Sequence, residues 1–199
     1  LPYTEELRIQ KSTGGNSTTR NNTVGSEFYF TFRLTGSLLE QEVKQYKNLR
    51  IIDLLPPELS YTHTSLGREL FGDLDKFQPE IIENYHNSGR TALIFPFTAE
   101  ALKEYWKSNS LAPFTIHVKI NGDAKPGTVR NYVYVVGDNL DEYDLPTGGT
   151  EDIYDLNDNG RTDDKIAYDY SNAIIVAAES LYAEKFIAPA GSSNWTKQG

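Results

Sequence analysis

Three polar side chains sit where the strand pattern asks for apolar ones. Read with a period of two, "LRIQK" (7–11) sets Leu7, Ile9 and Lys11 on one face. That face is the one expected to be buried, which sends a lysine into the core. An ammonium buried without a partner costs roughly several kcal/mol even after relaxation. In "RIIDLL" Asp53 shares a face with Ile51 and Leu55, and in "VRNYVYV" Asn131 shares one with Val129, Val133 and Val135. A lysine, an acid and an amide thus interrupt apolar stripes on the first, an early and a late strand. The chemistry served by this trio is an amide cross-link. Desolvation pushes a lysine toward its neutral, nucleophilic amine. A buried carboxyl kept protonated polarises the Asn carbonyl and shuttles protons as ammonia leaves. The product is a Lys–Asn isopeptide bond.

Each residue also has a plainer reading. Lys11 can lie at a strand end and reach water, Asp53 can cap the turn before Pro56, and Asn131 can bond loop backbone. Asn172 in "SNAIIV" competes as the amide, since it heads a stripe with Ile174 and Val176. Asn131 is preferred because apolar same-face residues flank it on both sides.

The elements that must position the trio are mostly strands. Phe28, Phe30, Phe32 and Leu34 alternate through "EFYFTFRL", which predicts a half-buried strand. "RIIDLLPPELSY" predicts a strand ended by a Pro-Pro turn, followed by an irregular charged segment, 62–78. "EIIENYHNSGRTALIFPF" predicts a hairpin turning at Asn87–Gly89, and "APFTIHVKI", "GTVRNYVYVV" and "NAIIVAAESLYAEKFIAP" predict further strands. Two short helices are expected. One is in "GSLLEQEVKQYKN" with a Ser37/Glu40 capping box, the other in "TAEALKEYWKSN" capped by Thr98. The 13 Tyr and 9 Phe lean the same way. The expected fold is all-β, an Ig-like β-sandwich with two short helical insertions.

The motif around the acid carries a resemblance. Lys11, then Asp53 within "IIDLLPPELSY", then Asn131 in a closing "V-x-N-x-V-x-V" strand resembles the Ig-like modules of Gram-positive surface adhesins and pilins. The family's "D-x-L-P-x-x-L-x-Y" stretch stands here as Asp53, Leu55, Pro56, Leu59 and Tyr61, with an extra proline at 57. The resemblance is to the collagen-adhesin A-region and fimbrial D2-type domains, and covers about residues 5 to 136. It implies an autocatalytic isopeptide triad of Lys11, Asp53 and Asn131. It also implies a non-catalytic module of a wall-attached bacterial surface protein, an adhesin or its stalk. The expected partners are adjacent repeats and a host or cell-surface protein or glycan. A sortase-assembled pilus subunit and a glycan-binding module of an extracellular enzyme are the alternatives.

Residues 137–170 are acidic and Tyr-rich. In "DLNDNGRTDD" oxygens recur at Asp155, Asn157 and Asn159, Gly160 allows a sharp turn, Arg161 offers a carbonyl and Asp163 a later ligand. Hard cations take such converging oxygens, so calcium is the candidate cofactor. Ile166 stands where a bidentate acid is expected, and the other reading is a solvated hairpin with an Asn-Gly turn at 159–160. Beyond it, "TEELRIQK" (4–11) laid over "AESLYAEK" (178–185) aligns Glu5/Glu179, Leu7/Leu181 and Lys11/Lys185, and then Gly25/Gly199. Residues 1–180 then form one module, with 137–170 as its extension, and 181–199 open a following repeat or linker.

A net charge of −9 argues against nucleic acid and anionic membrane as partners. No apolar run approaches the roughly 20 residues of a membrane span. Cysteine is absent, which fits a cytosolic or bacterial-surface origin. With Leu1 first and no signal-peptide pattern, the chain reads as an excised or processed fragment. "LPTGG" (145–149) misses the sortase signal by its glycine at 148, and His63, His86 and His117 are scattered without a ligand pattern. No Ser/His/Asp set or phosphate loop points to an enzyme.

Overall fold

Alternating burial builds the molecule. The computed structural model describes residues 8–15, 22–35, 49–66, 78–96, 106–107, 110–111, 113–137, 165–177, 186–187 and 196–197. In β2 (Glu27–Thr35) the aromatic residues Phe28, Phe30 and Phe32 and then Leu34 are buried, while Glu27, Tyr29 and Arg33 face out. β9 (Phe114–Ile120) pairs with it antiparallel and buries Phe114, Ile116, Val118 and Ile120 on the same side. β4 (Leu59–Leu66) extends this sheet beyond β9, and the short strands β7 (Trp106–Lys107) and β8 (Ser110–Leu111) join it at Thr35. β1 (Arg8–Gly14) pairs with the other side of β2. The second sheet runs in the order β11 (Lys165–Ile175), β10 (Gly127–Val136), β3 (Arg50–Leu55), β6 (Thr91–Pro96), β5 (Glu80–Ile82), all antiparallel.

The apolar faces of the two sheets share one core. Phe28, Phe30, Phe32, Leu34, Phe114 and Ile116 from the first sheet meet Ile51, Leu55, Leu93, Phe95, Val133 and Val135 from the second. This is a β-sandwich. The Pro-Pro turn carries the chain from one sheet to the other. Leu59 N–H donates to Pro56 O at 3.0 Å, and Asn121 holds the corner through Pro57 O (2.8 Å) and Glu58 O (2.9 Å).

Three expectations change. The irregular segment expected from Thr62 is strand as far as Leu66, with a register shift between Tyr61 and His63 that breaks the alternation. β11 begins at Lys165, inside the acidic stretch. The helical insertions find no support. Among the described residues there is no α-helix, only a 3₁₀ turn at Tyr85–Asn87, and Trp106 and Lys107, expected as helix, are strand. The rest of the expected second helix, and the first helix up to residue 48, lie outside the described residues. Phe186–Ile187 (β12) and Thr196–Lys197 (β13) pair with each other.

The central strand β3 is buried on both faces. Its outward residues Ile52 and Leu54 form a second cluster with Tyr85, Ala92, Tyr134 and Val136. Leu54→Ala should therefore carry a core cost of about 2–5 kcal/mol rather than the few tenths of a surface site. Urea unfolding measures it, and a loss below about 0.5 kcal/mol would contradict the second cluster.

Candidate functional site

The predicted parity brings Lys11, Asp53 and Asn131 together. Lys11 is paired with Phe32 on the inward face of β1, where the first sheet ends. Asp53 lies mid-strand in β3 between Leu93 and Val133 of its neighbours, and is 0% exposed. Asn131 is 0% exposed on β10, and stands diagonally from Asp53 because Asp53 is opposite Val133. The lysine therefore reaches across the sandwich, from one sheet to the acid and amide of the other.

Lys11 Nζ donates to Asp53 Oδ2 in an ion pair whose side chains are both fully buried. Asn131 Nδ2 donates to Asp53 Oδ1 at 3.0 Å. Phe30 and Phe32 complete the pocket, their ring centroids 4.5 and 4.6 Å from Nζ. Asn131 Oδ1 is buried and has no hydrogen-bond partner among the described residues. An orphaned carbonyl in a native core is costly and calls for an explanation. Burial lowers the Lys11 pKa from 10.5 to about 8, against the opposing pull of Asp53. Burial likewise raises the Asp53 carboxyl, against the pull of Lys11. Both shifts drive the pair toward neutral amine and neutral acid. One carboxyl thus touches a latent nucleophile through Oδ2 and an amide nitrogen through Oδ1. That geometry can take a proton from the first and hand it to the second.

No protein-family model matches the chain. No curated protein matches it either. Solved structures similar to it include Gram-positive pilins and fimbrial adhesins. The full-length major pilin SpaD of Corynebacterium diphtheriae is 16% identical over 67% of this chain and 30% of its own, with a TM-score of 0.43. The Actinomyces fimbrial adhesin FimA is 23% identical over 66% of this chain and 46% of its own, with a TM-score of 0.43. The seventh ScaB type I cohesin of Pseudobacteroides cellulosolvens is 12% identical over 90% of this chain and 98% of its own, with a TM-score of 0.40. The chain spans less than half the length of the two fimbrial proteins.

Other expected residues fall elsewhere. Asn172, the competing amide, is exposed on the opposite face of β11, where its Oδ1 accepts from Arg130 Nε at 3.3 Å. Asp155, Asn157, Asn159, Arg161 and Asp163, the candidate calcium ligands, lie outside the described residues, as does Lys185. His63 and His117 are not scattered: their rings stack at 4.1 Å across β4 and β9. Among the described residues no helix is long and apolar enough to cross a membrane.

Two contributors escaped the sequence reading. Asp169 Oδ2 accepts the Lys11 backbone N–H at 2.7 Å, and Thr13 Oγ1 meets Ser171 Oγ and donates to Asn172 O at 2.9 Å. β1 is thereby fastened to β11 of the other sheet by side chains. The signal was present in the alternation of Asp169, Ser171 and Ala173, but an acidic run hid it. The second contributor is Arg90, whose Nη1 donates to Leu54 O and Arg130 O at 3.0 Å each; it follows a turn and gave no periodic signal.

The pKa shifts have opposite consequences for a chain that cannot cross-link, such as Asn131→Ala. Between about pH 8 and 10.5 the unfolded lysine holds a proton that the folded one has lost, so stability rises with pH through that window. Asp53 runs the other way: its contribution is full below 3.8 and is lost as pH rises through its raised native value. Denaturant melts of Asn131→Ala should therefore gain stability from about pH 8 to 10.5 relative to Asn131→Ala/Lys11→Met. Equal slopes for the two variants would mean that Lys11 keeps its ordinary pKa.

Proposed function

We propose that this chain is a non-catalytic module of a bacterial wall-attached surface protein, an adhesin or the stalk beneath one, closed by an autocatalytic bond between Lys11 and Asn131. The observation that carries the reading is the fully buried trio with its orphaned amide oxygen. An ion pair in this position is a poor stabiliser, because desolvation offsets most of its attraction. As the precursor of an amide bond the same arrangement is consistent: the charges disappear with the reaction.

In the step itself, neutral Lys11 Nζ attacks Asn131 Cγ. A Cγ–Nζ bond forms and the Cγ–Nδ2 bond breaks. Asp53 takes a proton from Nζ at Oδ2 and returns one to Nδ2 from Oδ1, so that ammonia leaves and the carboxyl is unchanged. Phe30 and Phe32 keep water from the amine. Adjacent modules of the same protein, and a host or cell-surface protein or glycan, are the partners this reading entails. Residues 181–199 then begin a following repeat or linker.

The intact mass tests the reading. The purified chain should weigh less than its sequence by one ammonia, and Lys11→Ala, Asp53→Ala and Asn131→Ala should each restore the full mass. An unmodified wild-type mass rejects the cross-link. A deficit that persists in Asn131→Ala but vanishes in Asn172→Ala assigns the bond to the other amide.

A further inference from the structure

The β3–β10 ladder stops one step short of Asn131. Its register runs from Val136↔Arg50 to Tyr132↔Leu54 and ends there. Carried two residues further, it sets Arg130 opposite Pro56, which has no N–H to offer. The carbonyl of Arg130, in the peptide bond that leads into Asn131, finds its donor elsewhere. Arg90 Nη1 donates to Arg130 O at 3.0 Å and to Leu54 O at 3.0 Å. Leu54 directly follows Asp53. One guanidinium nitrogen therefore ties the two strands together beside the residues that carry the acid and the amide.

Arg90 is itself held in place. Its N–H donates to Ser88 Oγ at 3.1 Å, and its carbonyl accepts from Tyr85 N–H at 2.8 Å. The guanidinium lies 5.2 Å from the centroid of the Tyr132 ring. The turn leading into it has Asn84, His86 and Asn87 at φ of 49, 47 and 59, together with Gly89 at 74. Three left-handed non-glycine residues store backbone strain, and such strain persists where the surroundings dictate the shape of the chain. An arginine suits the task because one planar, permanently charged nitrogen offers two fixed hydrogens.

We propose that Arg90 is a positioning residue for the buried trio: it replaces the ladder bond lost at Pro56 and holds β3 and β10 at the spacing where Asp53 meets Asn131. The role rests on the cross-linking reading above. A shift of about 1 Å in reacting groups costs up to about a hundredfold in rate, so the clamp acts on how fast the bond forms rather than on whether the sandwich folds.

Cell-free synthesis of the whole chain, with intact mass recorded over time, reads that rate as the growth of the species lacking one ammonia. Arg90→Ala should slow it by about tenfold or more. Adding Pro56→Ala returns an N–H opposite Arg130 and should bring the rate most of the way back, a rescue that loss of the Tyr132 contact alone would not give. If Arg90→Ala does not fold by circular dichroism, Arg90→Lys, which lacks the planar fork, takes its place with the same slowing and rescue expected. Bond formation at the wild-type rate in the Arg90 variant overturns the role, and so does a slowing that Pro56→Ala fails to relieve. A wild-type chain that never loses ammonia instead ends the cross-linking reading itself, and this role with it.

Discussion

The structure turns on the cost of placing an ammonium and a carboxylate in a hydrocarbon core. Lys11 and Asp53 are taken wholly out of water; Lys11 recovers part of its lost hydration from Asp53 and from the faces of Phe30 and Phe32, and Asp53 from Lys11 and Asn131. Removing one partner of such a pair costs about 3–5 kcal/mol, because the survivor is left charged and alone. The surrounding strands must therefore hold all three groups in register. A one-residue slip of β1, β3 or β10 would send its member of the trio to the opposite face.

Several local features serve that registration. β3 is buried on both faces and lies between β10 and β6, so neither face gives it room to slide. β1 stands at the margin of the first sheet, yet its open side is closed by Asp169 and Ser171. A free margin with unpaired N–H groups invites pairing with foreign strands, and here the opposite sheet supplies the partner. Where β1 ends, the ring of Tyr29 lies across Gly14, and a Cβ there would come within 2.1 Å of Tyr29 Cε2. Glycine lets the ring settle on the backbone.

Side-chain parity made the trio legible from sequence. Each of Lys11, Asp53 and Asn131 breaks an apolar stripe, and that departure from pattern is the kind of local inconsistency that marks special sites. The two sheets emerged from the same alternation in β2, β9 and β10. The misses have physical causes. The register shift after Tyr61 moved Thr64 to the buried side and hid the second half of β4. Trp106 and Lys107 sit among good helix formers, and pairing with Ser110–Leu111 overrode that propensity. Arg90 acts through hydrogen bonds to two backbone carbonyls, which leave no periodic trace, and the alternation that carries Asp169 is masked by the acidic run around it. The second cluster, around Leu54 and Tyr134, leaves no alternation to read, because β3 is buried on both faces.

The two residues of the proposed bond lie on β1 and β10, in different sheets. A pull that enters the sandwich from the N-terminal side arrives at β1 and would ordinarily peel it from β2 and β11 before tearing at the core. A bond between Lys11 and Asn131 would pass tension straight from β1 to β10 and bypass the 120 residue steps between them. At about 3.4 Å per extended residue, roughly 400 Å of slack would be locked away. Among the described residues, those before Lys11 and those after Asn131, from the end of β10 through β11, would remain in the path of the load. A tether made of such units would transmit force with almost no give, and any yielding would begin at the seam where Asp169 and Ser171 meet β1.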